Sequence, residues 1–222
     1  MPELSAYTLP GTDVLRNKLG ITSAPALAQA QADFTTFRMV ELQTKPIPGA
    51  FTIEHLQRIH QHIFQDLYDF AGQLRDVDLP ERLLRGDVPS REIERTLNKL
   101  FDRLSSENKL KGYEVEEWTE RSAFYLGELS KTQPFLVGNG PVLREFADEL
   151  ARENGLALQW DGLSREGMEE DLESLQMSSD SNLRRLILLA MDPDPEKLRP
   201  SRGDDWLPNV DRNRDRELEL GV

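Results

Sequence analysis

A chain of 222 residues with 38% hydrophobic content is long enough to bury one sizeable core and too short for two ordinary domains. Its formal net charge of −13 offers no general field for nucleic acid or an anionic membrane, and favours a basic partner or peptide. The absence of cysteine excludes disulfides, a thiol nucleophile and thiolate metal sites, and it suits a reducing, cytoplasmic setting. No stretch approaches the ~20 apolar residues of a membrane span, and the N-terminus lacks a basic segment followed by an apolar one. All three histidines, His55, His60 and His62, fall in one short segment.

In chain order, "SAPALAQAQADFTTFRMVELQ" predicts a helix over 24–43, with Pro25 in its first turn and Leu27, Phe34, Phe37, Met39 and Leu42 as its apolar side. "TKPIPGA" breaks it, and Thr52 caps a second helix, "IEHLQRIHQHIFQDLY", the most regular amphipathic run in the chain. Residues 75–89 lose that period; Pro80, Gly86 and Pro89 punctuate two extended pieces that predict a small β-hairpin or flap. Ser90 then starts a helix ending near "SSENKLKG", and a further one spans 114–130, with Val115, Trp118, Ala123, Phe124, Leu126 and Leu129 facing inward. A helix over 141–153 stops at Asn154-Gly155, "LALQWDGL" is an extended connector, and two helical stretches lie near 164–175 and 181–191. Residues 192–222 are charged, proline-punctuated and aperiodic, and are expected to form a tail that docks through Trp206 and Leu207. The expectation is one mainly α domain over 1–191.

The chemistry concentrates in "KTQPFLVGNGPVLREF", residues 131–146. An apolar run into Gly138-Asn139-Gly140 that opens a helix gathers the amides of Gly138, Asn139, Gly140 and Val142 toward an anion. Pro141 contributes no N–H, and Arg144, one turn on, can contact a phosphate or pair with Glu145 or Asp148. The competing reading is a helix-entry turn in which the glycines only permit unusual dihedrals. The three histidines cannot converge on one metal, so capping, core hydrogen bonds or surface placement account for them.

Three blocks in order, "YTLPGTDVLRNKLG", "FTIEHLQRIHQHIFQDLYDFAGQLRDVDL" and "QPFLVGNGPVLREF", resemble the Fic (Fido) domain family over about residues 7–190. The resemblance implies a Fic-type helical bundle with a β-hairpin flap over its cleft. It also implies transfer of AMP from ATP, with Mg²⁺, to a hydroxyl of a target protein presented to the flap. The family motif reads His-Pro-Phe-x-Asp/Glu-Gly-Asn-Gly-Arg-x-x-Arg. Its histidine takes the hydroxyl proton, its acid holds the metal, the Gly-Asn-Gly amides cradle phosphate and its arginines neutralise charge.

At matching positions in 133–144 the chain keeps Pro134, Phe135, Gly138, Asn139, Gly140 and Arg144. It places Gln133 at the histidine, Val137 at the Mg²⁺-binding acid and Pro141 at the first arginine. The resemblance therefore assigns Gln133 to the catalytic position, Gly138, Asn139, Gly140 and Arg144 to the nucleotide, and no residue to the metal. Efficient transfer is not expected; a binding module without turnover is the alternative. "SREIER" has Ser90 and Glu94 of the family's inhibitory motif, but Arg95 where glycine or asparagine belongs. Any restraint would then come from a small antitoxin-like partner.

Overall fold

A computed structural model describes residues 3–80, 88–160 and the helical positions 184, 187, 188, 190 and 191. Between residues 3 and 160 the described residues form five α-helices: α1 (Ala24–Thr44), α2 (Ile53–Phe64), α3 (Ile93–Ser106), α4 (Val115–Thr132) and α5 (Asn139–Glu153). None of them is long and apolar enough to cross a membrane.

α2 is the central element. Thr52 is extended and its hydroxyl accepts the His55 amide at 3.3 Å, supplying one of the partners that the first helical amides lack. Ile53, Leu56, Ile59, Ile63 and Phe64 are all buried, and each such side chain stabilises the fold by roughly 1.5–3 kcal/mol. The helix stops at Phe64 rather than running on to residue 68 as expected. The amides of Leu67 and Tyr68 fold back onto the Phe64 carbonyl, and this turn buries both side chains.

α1 packs on α2, but only Leu27 and Leu42 of its expected apolar side are buried. Phe37 is 57% exposed. The inward position beside it belongs to Arg38, whose Nε and Nη2 donate to Asp66 at 2.7 and 3.0 Å and whose Nη1 donates to Glu41 at 2.6 Å. A charged pair takes the place that periodicity gives to an aromatic ring.

α3 begins at Ile93, after a single 3-10 turn over Ser90–Glu92, and turns Leu97, Leu100, Phe101 and Leu104 inward. α4 packs on both α3 and α5 and buries Trp118, Ala123, Leu126 and Leu129. Val115, expected inside, is 43% exposed because it opens the helix at its solvent end. The Phe124 ring lies under Arg103 and Arg121, 4.6 and 4.9 Å from their guanidinium carbons. α5 lies against α2 and α4, and the Leu156 amide closes it on the Ala151 carbonyl past Gly155. The connector after it meets the last helical stretch where the Gln159 amide donates to the Ala190 carbonyl at 2.7 Å.

Of the stretch 75–89, where a hairpin is expected, only the two ends are described. Residues 75–80 and 88–89 contain no strand, and residues 81–87 lie outside the described set. The expected helix 164–175, part of 181–191 and the tail 192–222 also lie outside it. Among the described residues the one β-bridge, antiparallel, joins Thr8 to Leu15.

Candidate active site

α4 ends at Thr132, and Gln133 reverses the chain in the left-handed region, at φ 43° and ψ 65°. Its amide closes the helix on the Leu129 carbonyl at 3.1 Å, and its carbonyl accepts from Arg75 Nε at 2.8 Å. The residue is 8% exposed, so the position that the resemblance gives to a general base is buried, with its main chain held at both the amide and the carbonyl.

Phe135 follows, fully buried. The Asn139 side chain holds it: its Nδ2 donates to the Phe135 carbonyl at 2.9 Å, and its Oδ1 accepts the Phe135 amide at 3.0 Å. This pair makes Asn139 the first residue of α5, two residues before the expected start at 141.

Gly138 caps the helix with φ 74°, and a Cβ there would stand 2.1 Å from Phe64 Cζ. The position therefore requires glycine for its dihedral and for the close approach of the aromatic ring. The first amides of a helix lack intrahelical acceptors, so Asn139 and Gly140 present N–H groups at the positive end of α5. Pro141 has none. Val142, expected to join them, instead donates to the Gly138 carbonyl at 3.4 Å because the helix has already begun. The nest is thus smaller than the sequence suggested.

Arg144 is half-buried one turn along, and its charge opposes a rise in the pKa of Asp148. Burial nevertheless dominates at Asp148, pushing that carboxyl up to about 6 while its Oδ1 accepts from Trp160 Nε1 at 2.6 Å. Glu145 turns the other way, to Arg152 Nη2 at 2.8 Å; it is 1% exposed, and burial pushes it up to about 7.

The three histidines go to three separate tasks. His55 Nε2 lies 3.0 Å from the Ile47 carbonyl and 2.7 Å from Glu149 Oε2, joining α2 to α5. His62 Nε2 faces Glu41 at 3.3 Å. His60 is fully buried under the loop: the Gly72 amide donates to its Nδ1 at 2.8 Å, which leaves the proton on Nε2, and that N–H donates to the Val137 carbonyl at 3.1 Å. Its ring stacks on Phe135 at 4.0 Å between centroids, and burial pushes its pKa down to about 4. His60 is therefore a neutral clamp on the loop.

Two functional contributions escaped the sequence reading. His60 was read there only as one of three histidines that capping, core hydrogen bonds or surface placement account for, and its single signal is that a stacking ring sits on the helix facing the loop. Arg75 carried no signal at all, being one arginine in "GQLRDVD". It is 5% exposed, and its guanidinium reaches the carbonyls of Val77, Val88, Thr132 and Gln133. Asp76 and Asp78, which could have supplied a missing acid, are engaged by Tyr7 Oη at 2.7 Å and by the Ser90 amide at 2.7 Å.

Whether the site fits Mg²⁺ can be asked of its donors. Val137 offers a hydrocarbon side chain, and its carbonyl is bonded to His60. Among the described residues no group of three or more His, Asp or Glu side chains is arranged to hold a metal. The residues present do not fit a protein-held Mg²⁺ at the family position.

The family model described as Fic/DOC matches residues 50–151, which run from the entry to α2 through α5. A probable protein adenylyltransferase of Escherichia coli (strain K12) is 35% identical over 182 residues, covering 77% of this chain and 88% of that protein. Protein adenylyltransferase VbhT of Bartonella schoenbuchensis is 35% identical over 175 residues, covering 78% of this chain but 36% of that longer protein. Among solved structures, the type IV secretion effector BepA superposes with a TM-score of 0.80 at 23% identity, over 89% of this chain and 72% of its own. The N-terminal Fic domain of a Bartonella quintana effector with bound ADP gives 0.74 at 26% identity, over 83% and 94%.

Proposed function

The chain belongs to the Fic/DOC family, and from that premise we propose that it binds ATP at the head of α5 and engages a protein segment beside residue 133, with AMP transfer strongly impaired. The nucleotide half of this reading is supported by relatives named protein adenylyltransferases and by a similar domain solved with ADP. The phosphates meet the amides of Asn139 and Gly140, the glycine turn at 138 that lets them approach, and the Arg144 guanidinium.

The observation that carries the impaired half is the fate of the histidines. Gln133 has no basicity near neutral pH, and His55, His60 and His62 are each engaged elsewhere. No histidine is left to accept a hydroxyl proton, and loss of a general base alone costs about 10²–10⁴ in rate. The Val137 and Pro141 replacements remove an acid and a charge from the same unit, and losses within one unit do not multiply. What remains is a phosphate-binding turn beside a place where a target segment can lie. A small inhibitory partner acting from outside the chain belongs to the same reading, since Arg95 breaks the internal inhibitory pattern.

The test is calorimetric titration of the 222-residue chain with ATP, followed by incubation of a lysate with labelled ATP. Binding that weakens at least about tenfold in Arg144→Ala, with little label transferred, is the expected result. No binding at millimolar ATP removes the nucleotide half. Efficient labelling by the unaltered chain removes the impaired half.

A further inference from the structure

Arg75 joins three pieces of chain that have no ladder between them. Its Nη1 donates to the Val77 carbonyl at 2.9 Å and its Nη2 to the Val88 carbonyl at 2.7 Å, so one guanidinium bridges the two arms that flank residues 81–87. The same group reaches inward, with Nε on the Gln133 carbonyl at 2.8 Å and Nη2 also on the Thr132 carbonyl at 3.3 Å. Its own amide donates to the Pro134 carbonyl at 2.9 Å. Asp78 completes the arrangement from the outside, accepting the Ser90 amide at 2.7 Å and standing 3.9 Å from Arg75 Nη1.

The geometry suits only arginine. A planar fork with five donors can serve four carbonyls in different directions, whereas a lysine ammonium is a point with three donors. A buried cation is costly unless its donors are satisfied, so four carbonyl partners and a nearby carboxylate account for its survival in the core. None of these contacts falls on Gly138, Asn139 or Gly140, and the stretch leading to them is held separately, by His60 on Val137 and by the Asn139 side chain on Phe135.

We infer that Arg75 is a positioning residue that locks residues 75–80 and 88–90 to the residue-133 end of the loop, so that a protein segment lying on those arms meets position 133 in a fixed register. The inference rests on the reading of the arms as the place where a target segment lies, but it separates that half of the site from the phosphate nest. Loss of the fork should loosen the arms and the 132–134 segment together and leave nucleotide affinity alone. A general loss of stability would lower both.

Hydrogen exchange on the full chain, unaltered and as Arg75→Lys, tests it beside ATP calorimetry on both. Arg75→Lys keeps the charge and loses the fork. Peptides covering 75–80, 88–92 and 131–136 should exchange at least about tenfold faster as a set, with α2, α3 and 138–146 unchanged. ATP affinity should stay within about threefold. Faster exchange in the arms with 131–136 unchanged overturns the inference, as does a matching loss of ATP affinity. Should Arg75→Lys not fold, Asp78→Ala carries the test, because it frees the Ser90 amide and removes the carboxylate 3.9 Å from Nη1 while leaving the four carbonyl contacts of the guanidinium in place. Faster exchange confined to 88–92 then agrees with the inference, and equal loosening of 131–136 overturns it. An unaltered chain that binds no ATP ends the nucleotide reading and leaves the exchange comparison decisive for Arg75.

Discussion

Both main-chain polar groups of Phe135 are satisfied by one side chain, that of Asn139, which donates to the carbonyl at 2.9 Å and accepts the amide at 3.0 Å. The asparagine of the Gly-Asn-Gly turn therefore shapes the loop with its side chain while its amide heads α5. Asn139→Ala removes both contacts and leaves a buried amide and carbonyl without partners, at a cost of about 2–4 kcal/mol. Urea unfolding should show that loss, and calorimetry should show weaker ATP binding in the same variant.

Gly138→Ala tests the close approach behind the nest. The new Cβ must avoid Phe64, and the φ of 74° is one that alanine adopts reluctantly. The variant should lose about 1–3 kcal/mol in denaturant unfolding. Combining it with Phe64→Leu should recover part of that loss, since the smaller side chain makes room.

His60 gives the fold a pH dependence of known sign. Its folded pKa of about 4 lies below its ordinary 6.5, so between these values the unfolded chain binds the extra proton. Its contribution is present above about 6.5 and is lost as pH falls toward about 4, where protonation of Nδ1 also displaces the Gly72 amide. The full effect is about 3 kcal/mol. Unfolding curves across this range should be steeper in pH for the unaltered chain than for His60→Gln by that amount.

Glu145 acts in the opposite sense. Its folded pKa of about 7 lies above the ordinary 4.5, so the folded chain holds the proton and stability falls as pH rises from about 4.5 to about 7. Glu145→Gln removes this dependence and also the ion pair with Arg152. At pH 5, where the carboxyl is protonated, the variant should be close in stability to the unaltered chain, and by pH 8 it should be the more stable of the two.

Restoring Gln133→His, Val137→Glu and Pro141→Arg together probes how far the chain has moved from its relatives. The backbone around these positions is held by Arg75, His60 and Asn139, none of which is altered. Labelled AMP should then appear on protein in a lysate at least about a hundredfold above the unaltered chain. Absence of label would place further lesions outside the loop.

The elements that could be read from sequence were those whose periodicity or capping is local. Thr52 and the three-to-four spacing of α2 announce that helix, and Asn154-Gly155 announces the end of α5. The 1–191 and 192–222 division is not decided by the described residues. Readings failed where a polar group does work usually given to an apolar one. Phe37 was placed inward because nothing local shows that Arg38 reaches Asp66, 28 positions away. In the same way, the expected extended pieces near 75–89 contain no strand among the described residues, and a side chain from residue 75 makes the cross-links a ladder would make. At the site, the motif positions were legible as residue types, but the start of α5 at Asn139 was not, because it depends on a turn closed by a side chain. The diversion of the Val142 amide follows from that earlier start.

The hydrogen bonds described above that shape the loop end on main-chain atoms: Arg75 on the carbonyls of Thr132 and Gln133, His60 on that of Val137, and the Asn139 side chain on Phe135. A carbonyl is the same whatever side chain stands beside it. Histidine can give way to glutamine at 133, and an acid to valine at 137, without dismantling any of these supports. In such a scaffold the outline of the loop and the chemistry of its side chains can vary separately.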